Sequence, residues 1–169
     1  MLIRALTGED SEAFRELRLL GLQLHPEAFG SSYEEESQQD VAAVRAMLVE
    51  RQARPGNVTL GAFVEGQLVG MVSLSHRGRQ KTGHQALIWG VLVHPGWRGR
   101  GIAQALMQGI IETARRVPGV EQLELAVATD NAAALRLYQN CGFQTWGEEK
   151  KAIKLKDRYV DEYHMVLYL

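Results

Sequence analysis

Apolar residues recur along this chain in two rhythms, one of period two and one close to three and a half, and together they divide it into strands and helices. Met1 to Leu6 reads as a first strand. After Asp10-Ser11, either of which suits an N-cap, Phe14, Leu17, Leu20 and Leu24 share one helical face. His25-Pro26-Glu27 and Gly30-Ser31-Ser32 loosen the next stretch, and a second helix is predicted from about Asp40 to Ala53 with Val41, Val44, Met47 and Leu48 inward. Pro55-Gly56 breaks it. Strands are predicted over Asn57–Val64 and Leu68–Ser75, joined by Glu65-Gly66-Gln67 as a short hairpin loop. A basic loop, His76 to Gly83, leads into the apolar run Ala86–Val93, which has the length and branching of a buried strand. Ile102, Leu106, Ile110 and Ala114 then mark a helix to about Val117, stopped by Pro118-Gly119. Leu123–Ala128 is a strand with Leu123, Leu125 and Val127 directed to the core. Thr129-Asp130-Asn131 opens a helix over Ala132–Asn140, which Gly142 closes. Phe143–Ile153 and Tyr159–Leu169 end the chain as strands. The order β-α-α-β-β-β-α-β-α-β-β predicts a single α/β domain over residues 1–169, a mixed sheet with helices on both faces.

Most of the chemistry is concentrated between the central strand and the helix after it. His94-Pro95-Gly96-Trp97-Arg98-Gly99-Arg100-Gly101 carries two arginines and three glycines. A strand that turns through glycines into a helix leaves several N–H groups unpaired at the helix start, with the dipole behind them, and so makes a seat for phosphate. A side chain at Gly99 or Gly101 would hold a diphosphate away from the backbone. The dinucleotide fingerprint fails here, because its last position counted from Gly99 is Gln104, and no Gly-Lys-Ser/Thr sequence occurs. The pattern that fits is R-x-x-G-x-A, at Arg98, Gly101 and Ala103.

That pattern, between a hydrophobic strand and an amphipathic helix, resembles the acyl-CoA pyrophosphate loop of the GCN5-related N-acetyltransferase (GNAT) family. A second segment, Asn131-Ala132-Ala133-Ala134-Leu135-Arg136-Leu137-Tyr138-Gln139-Asn140-Cys141-Gly142-Phe143, is similar to that family's N-x-x-A-x-x-x-Y-x-x-x-G-F stretch. Its Asn131, Ala134 and Tyr138 lie on one helix face. The predicted element order also matches, so the resemblance covers essentially the whole chain. It implies the GNAT fold, with a mostly antiparallel sheet of about seven strands, a splayed fourth and fifth strand, and a bulge for which Gly90 is well placed. It also implies acetyl-CoA as the acyl donor and transfer to a primary amine of a small molecule or peptide, directly in a ternary complex. A non-catalytic acyl-CoA-binding or sensor protein of the same fold is the alternative.

The resemblance assigns roles residue by residue. Arg98, Gly99, Arg100, Gly101, Ile102 and Ala103 bind the diphosphate. Val91, Leu92 and Val93 pair with the pantetheine as an added strand. Asn131, Ala134 and Tyr138 face the thiol end, the Leu92 backbone N–H is the oxyanion donor, and Tyr138 protonates the departing thiolate. The acid that the family often carries on the central strand is missing. His84 is the leading titratable candidate for the base, with Glu34, Glu35, Glu36, Asp161 and Glu162 as others. Glu34, Glu35 and Glu162 are also candidates for attracting the acceptor amine. Asn131 also suits a plain helix cap, and Tyr138 a plain core position.

Composition narrows the remaining choices. A chain of 169 residues with 46% hydrophobic and 23% charged residues is ordinary for a soluble domain. Its net charge of −1 gives no reason to expect a nucleic-acid partner or an anionic membrane. No apolar run approaches the roughly 18–20 residues of a membrane span. Met1–Leu6 is too short and interrupted for a signal segment, so the expected location is cytoplasmic. One cysteine, Cys141, excludes an internal disulfide. No histidine pair has metal-ligand spacing, and no metal is expected. The apolar end Met165–Leu169 suits either an interior strand or a homodimer contact.

Overall fold

The computed structural model describes residues 1–169 as β1 (Leu2–Ala5), α1 (Ser11–Leu24), α2 (Tyr33–Glu36), α3 (Val41–Ala53), β2 (Val58–Val64), β3 (Gln67–His76), β4 (Gln85–Val93), α4 (Ile102–Arg115), β5 (Gln122–Ala128), α5 (Ala132–Asn140), β6 (Gln144–Lys154) and β7 (Tyr159–Tyr168). The strands form one sheet in the order β1-β2-β3-β4-β5-β7-β6. Every pairing is antiparallel except β4–β5. Hairpin chemistry sets the β2–β3 register: Glu65 and Gly66 both have positive φ, as a two-residue turn matched to strand twist requires, so Gln67 belongs to the strand and pairs with Val64.

Each face of the sheet has its own apolar layer. On one, α4 buries Ile102, Leu106, Ile110 and Ala114 against Leu60, Val72 and Ile88, as its periodicity predicts. Full burial of a leucine or isoleucine contributes about 1.5–3 kcal/mol, so this stripe is a main anchor of the helix. α5 continues that layer, with Tyr138 packed edge-on against Phe143 at 6.3 Å between ring centroids. On the other face α1 and α3 bring Phe14, Leu17, Val44 and Leu48 onto Leu68, Met71 and Leu92.

The predicted inward faces of α1 and α3 need correction. Leu24 and Val41 are exposed, and α1 instead turns Arg18, Gly21 and Leu22 inward with Phe14 and Leu17. Packing decides this rotation. A Cβ on Gly21 would stand 2.5 Å from Leu92 Cδ2, so the glycine lets the helix lie directly on β4.

One irregularity opens the sheet. Met71 pairs with Leu92 but Ser73 pairs with Trp89, so β4 spends one residue more than β3 over this interval. Gly90, with φ of +66°, absorbs it as a bulge. β4 and β5 pair only over Gln85–Leu87 and Gln122–Glu124; beyond that they separate into a cleft. The fourth and fifth strands are therefore splayed, and the fold is the mixed, mostly antiparallel α/β arrangement that the sequence predicts.

Candidate functional site

The cleft between the separated strands has a volume of about 680 Å³. β4 lines it with Val91, Leu92 and Val93. The turn into α4 adds Arg98, Gly99, Gly101, Ile102 and Ala103, and α5 adds Asn131, Ala134 and Tyr138. The two sequence motifs, far apart in the chain, thus meet across one cavity. Of the residues predicted to hold the cofactor, Arg100 alone is not part of this lining; it lies over the Trp97 ring at 4.6 Å, beside the turn.

Backbone groups make up one wall. The His94 N–H donates to the Val69 carbonyl at 2.9 Å. Antiparallel pairing alternates, so the Leu92 amide also faces β3, while the amides of Val91 and Val93 face the cleft. The expectation for the Leu92 N–H is corrected by this parity: its backbone is committed to the ladder, and Val91 and Val93 offer the free edge.

At the far end the helix start is open. Gly99 and Gly101 have φ of +74° and +76°, and a Cβ at either would meet no protein atom within 4 Å. Gly101 is the N-cap of α4 and has no side chain to satisfy the first-turn N–H groups, and that turn holds no acid. Anionic oxygens fit this seat, which combines free N–H groups, empty space above both glycines and a positive helix end. Arg98 adds charge and is held in place. Its Nε donates to the Val93 carbonyl at 3.2 Å, and its terminal nitrogen lies 2.8 Å from His25 Nε2. A guanidinium only donates, so Nε2 accepts and the His25 proton sits on Nδ1, 3.3 Å from a Glu27 oxygen. His25, scattered in the sequence, joins the wall because the α1 exit folds over the turn.

Tyr138 is 7% exposed, and burial pushes its phenol well above the ordinary value, so it stays protonated at neutral pH. Its hydroxyl has no protein partner and is not sealed from solvent, which leaves it facing the cleft. Asn131 Oδ1 accepts from the Ala134 N–H at 3.1 Å, so it caps α5 while lining the cavity. Burial likewise pushes the Cys141 thiol up, against a thiolate role.

The remaining predicted residues divide. His84 lies just before β4, and its carbonyl accepts from Glu121 and Gln122, at the end of the strand where β4 and β5 are still paired. It is not brought to the cleft, six residues from the bulge along an extended chain. Glu34 is exposed, and Glu35 closes a capping box with Ser32. Glu36 turns inward instead and bonds Arg18 through both oxygens, at 2.9 and 2.7 Å. Burial pushes its carboxyl up, but the Arg18 bonds overcome this and hold it below the usual range. Glu162 sits on β7 opposite Ala128, the last residue of β5, and is half-buried. Burial holds its carboxyl above the usual range. Arg18 escaped the sequence reading; its one signal was an arginine at a position of α1 that the helix turns inward. No group of histidine, cysteine or acidic residues has metal-binding geometry, and no helix is long and apolar enough to cross a membrane.

Comparison with known proteins identifies the family. A family model described as Acetyltransferase (GNAT) family matches residues 21–143. The L-amino acid N-acetyltransferase AaaT of Escherichia coli K12 is 32% identical over 166 residues, covering 98% of this chain and 96% of that protein. The N-alpha-acetyltransferase RimI of Mycobacterium tuberculosis is 38% identical over 99 residues, 59% of this chain and 60% of that protein. Among solved structures, yncA of Salmonella typhimurium, a putative acetyltransferase with its cofactor acetyl-CoA, superposes with a TM-score of 0.87 at 25% identity. That match covers 100% of this chain and 94% of that one.

Proposed function

Because the chain belongs to the GNAT family and is an acetyl-CoA-dependent N-acetyltransferase, we propose that it transfers acetyl directly to the amine of a small acceptor, with donor and acceptor bound together. The observation that carries this reading is the continuity of the cleft: the free edge of β4 runs from the Gly90 bulge to the open α4 terminus, with the Tyr138 hydroxyl facing it.

Acetyl-CoA supplies an activated acyl group as a thioester. The chain's residues bind and orient it. N–H groups of Ile102, Ala103 and Gln104, with Arg98, hold the diphosphate, and Val91 and Val93 hold the pantetheine amides as a neighbouring strand would. The Val91 amide, next to the bulge, polarises the thioester carbonyl. Glu162 takes the place of His84 as the proton acceptor for the incoming ammonium. It lies outside the cavity lining but opposite Ala128, where β5 runs on to the cleft residues Asp130 and Asn131, and a desolvated carboxylate there is a stronger base than a solvated one. The amine nitrogen bonds to the acyl carbon, the carbon–sulfur bond breaks, Tyr138 delivers its proton to the sulfur, and the second proton shed by the nitrogen restores the Tyr138 phenol. No covalent enzyme intermediate is required, because the acceptor amine is itself the nucleophile.

Thiol release from acetyl-CoA, measured with product identification across amino acids, polyamines, aminoglycosides and short peptides, tests this. Free amino acids head the panel because the relative matched end to end is an L-amino acid N-acetyltransferase. Acceptor-dependent release with a matching acetylated product supports the reading. Release to water alone, with no acetylated amine, overturns it.

A further inference from the structure

A second cavity, of about 370 Å³, lies on the opposite face of the sheet between α1, α3 and Trp89 of β4. Four arginines line it, Arg15, Arg18, Arg51 and Arg54, against only two acids, Glu36 and Glu50. The acids are already spoken for: Glu36 pairs with Arg18 and Glu50 with Arg54. Arg15 bonds only the carbonyls of Ser37 and Gln39. Arg51 bonds only neutral oxygens, those of Thr59, Ser75, Val58 and Leu74, and stacks on Trp89 at 4.9 Å. The cavity therefore holds two guanidinium charges that the protein does not neutralise.

Arg18 points to what completes it. The residue is 5% exposed, yet its Nη1 has no hydrogen-bond partner. Nη1 stands 4.0 Å from the position of a Cβ at Gly90. The orphan donor is thus beside the bulge, where the reacting carbonyl is held in the reading above. The Arg18 charge is already matched by Glu36, so what Nη1 lacks is an acceptor, and the uncompensated Arg15 and Arg51 guanidiniums lining the same cavity make an anionic acceptor the fitting one.

We propose that the acceptor is a carboxylate-bearing amine, an α-amino acid, and that its carboxylate is received by Arg18 Nη1 within this arginine-lined cavity; this rests on the acetyltransferase reading above. In an α-amino acid two bonds separate the amine nitrogen from the carboxyl carbon, so a carboxylate anchored beside Gly90 leaves the amine at the bulge. The same surplus of positive charge repels an acceptor that carries only ammonium groups, which disfavours polyamines. It also lowers the pKa of the bound ammonium, which eases its deprotonation by a carboxylate. Peptide N-termini lack the adjacent carboxylate and lose the anchor.

The test compares kcat/KM for acetylation of several L-amino acids with that of their α-amides and their decarboxylated amines. The wild-type protein is run beside Arg18→Gln/Glu36→Gln, which removes the ion pair together and leaves no orphaned acid, and beside Arg51→Gln. Thermal midpoints and acetyl-CoA affinity establish that each variant is folded. The wild type is expected to favour the acid over its amide by roughly 10- to 100-fold, and the double variant to lose that preference through a larger fall on the acid than on the amide. A structural role alone would move both rates together. Equal rates on acids and amides in the wild type overturn the proposal, as does a preference that survives in both variants. If no amine of any class is acetylated while acetyl-CoA still binds, the transferase reading itself fails, and this proposal fails with it.

Discussion

Gly101 and Gly119 bracket α4 and provide a matched pair. Both have left-handed backbone, with φ of +76° and +82°, and a Cβ at either meets no protein atom within 4 Å. Alanine at either site therefore suffers a similar conformational penalty, about 1–2 kcal/mol. For a domain of this size that corresponds to a fall of roughly 2–8 °C in thermal midpoint. Only Gly101 caps the helix whose free N–H groups form the anion seat. A methyl group there occupies the space meant for a diphosphate oxygen, and loss of one charge-assisted hydrogen bond costs about 1.5–3 kcal/mol. Calorimetry should then show acetyl-CoA binding about 10- to 150-fold weaker in Gly101→Ala, and wild-type affinity in Gly119→Ala despite a similar drop in midpoint. Equal affinities in the two variants would refute the placement of the diphosphate at this turn.

Four further outcomes follow from the geometry. Tyr138→Phe keeps the ring packed on Phe143 but removes the proton donor; kcat should fall about 100-fold or more with acetyl-CoA affinity unchanged, and an unchanged kcat removes the acid role. Burial holds the Glu162 carboxyl above its ordinary value, so its base form is lost as pH falls through that raised value. The acidic limb of kcat/KM against pH should report this loss, and Glu162→Gln should abolish that limb. The same burial makes charged Glu162 a destabilising feature once pH rises above its folded pKa, so Glu162→Gln should unfold at slightly higher temperature at pH 7. Gly21→Ala drives a methyl group to 2.5 Å from Leu92 Cδ2. Urea unfolding should show a loss of about 1–3 kcal/mol, which should largely vanish when the same substitution is measured in a Leu92→Ala background, whereas strict additivity would place the strain elsewhere.

Much of this protein was written locally. The α4 stripe, the hairpin glycine, the end of α5 at Gly142 and the glycine turn before α4 depend on interactions within a few residues, and each was legible from spacing and residue type. The proposed diphosphate seat belongs to this class, since it is assembled by consecutive residues from a strand, a turn and a helix start. Other features came from contacts between distant segments. Which side of α1 faces inward was decided by Leu92 pressing on Gly21, a pairing that no helical period reveals. The parity of the β3–β4 ladder sent the Leu92 amide toward β3 and left Val91 and Val93 free. His84 looked suitable by residue type alone, but it lies at the closed end of the strand pair. Arg18 went unnoticed in the sequence, because only the fold brings Glu36 of α2 and Gly90 of β4 to it. Sequence by itself determined most of the elements, the family and the glycine turn proposed to seat the donor, because backbone conformation and periodicity are local. The tertiary structure alone decided which charges are unpaired and which amides are free, because both depend on what the rest of the chain places beside them.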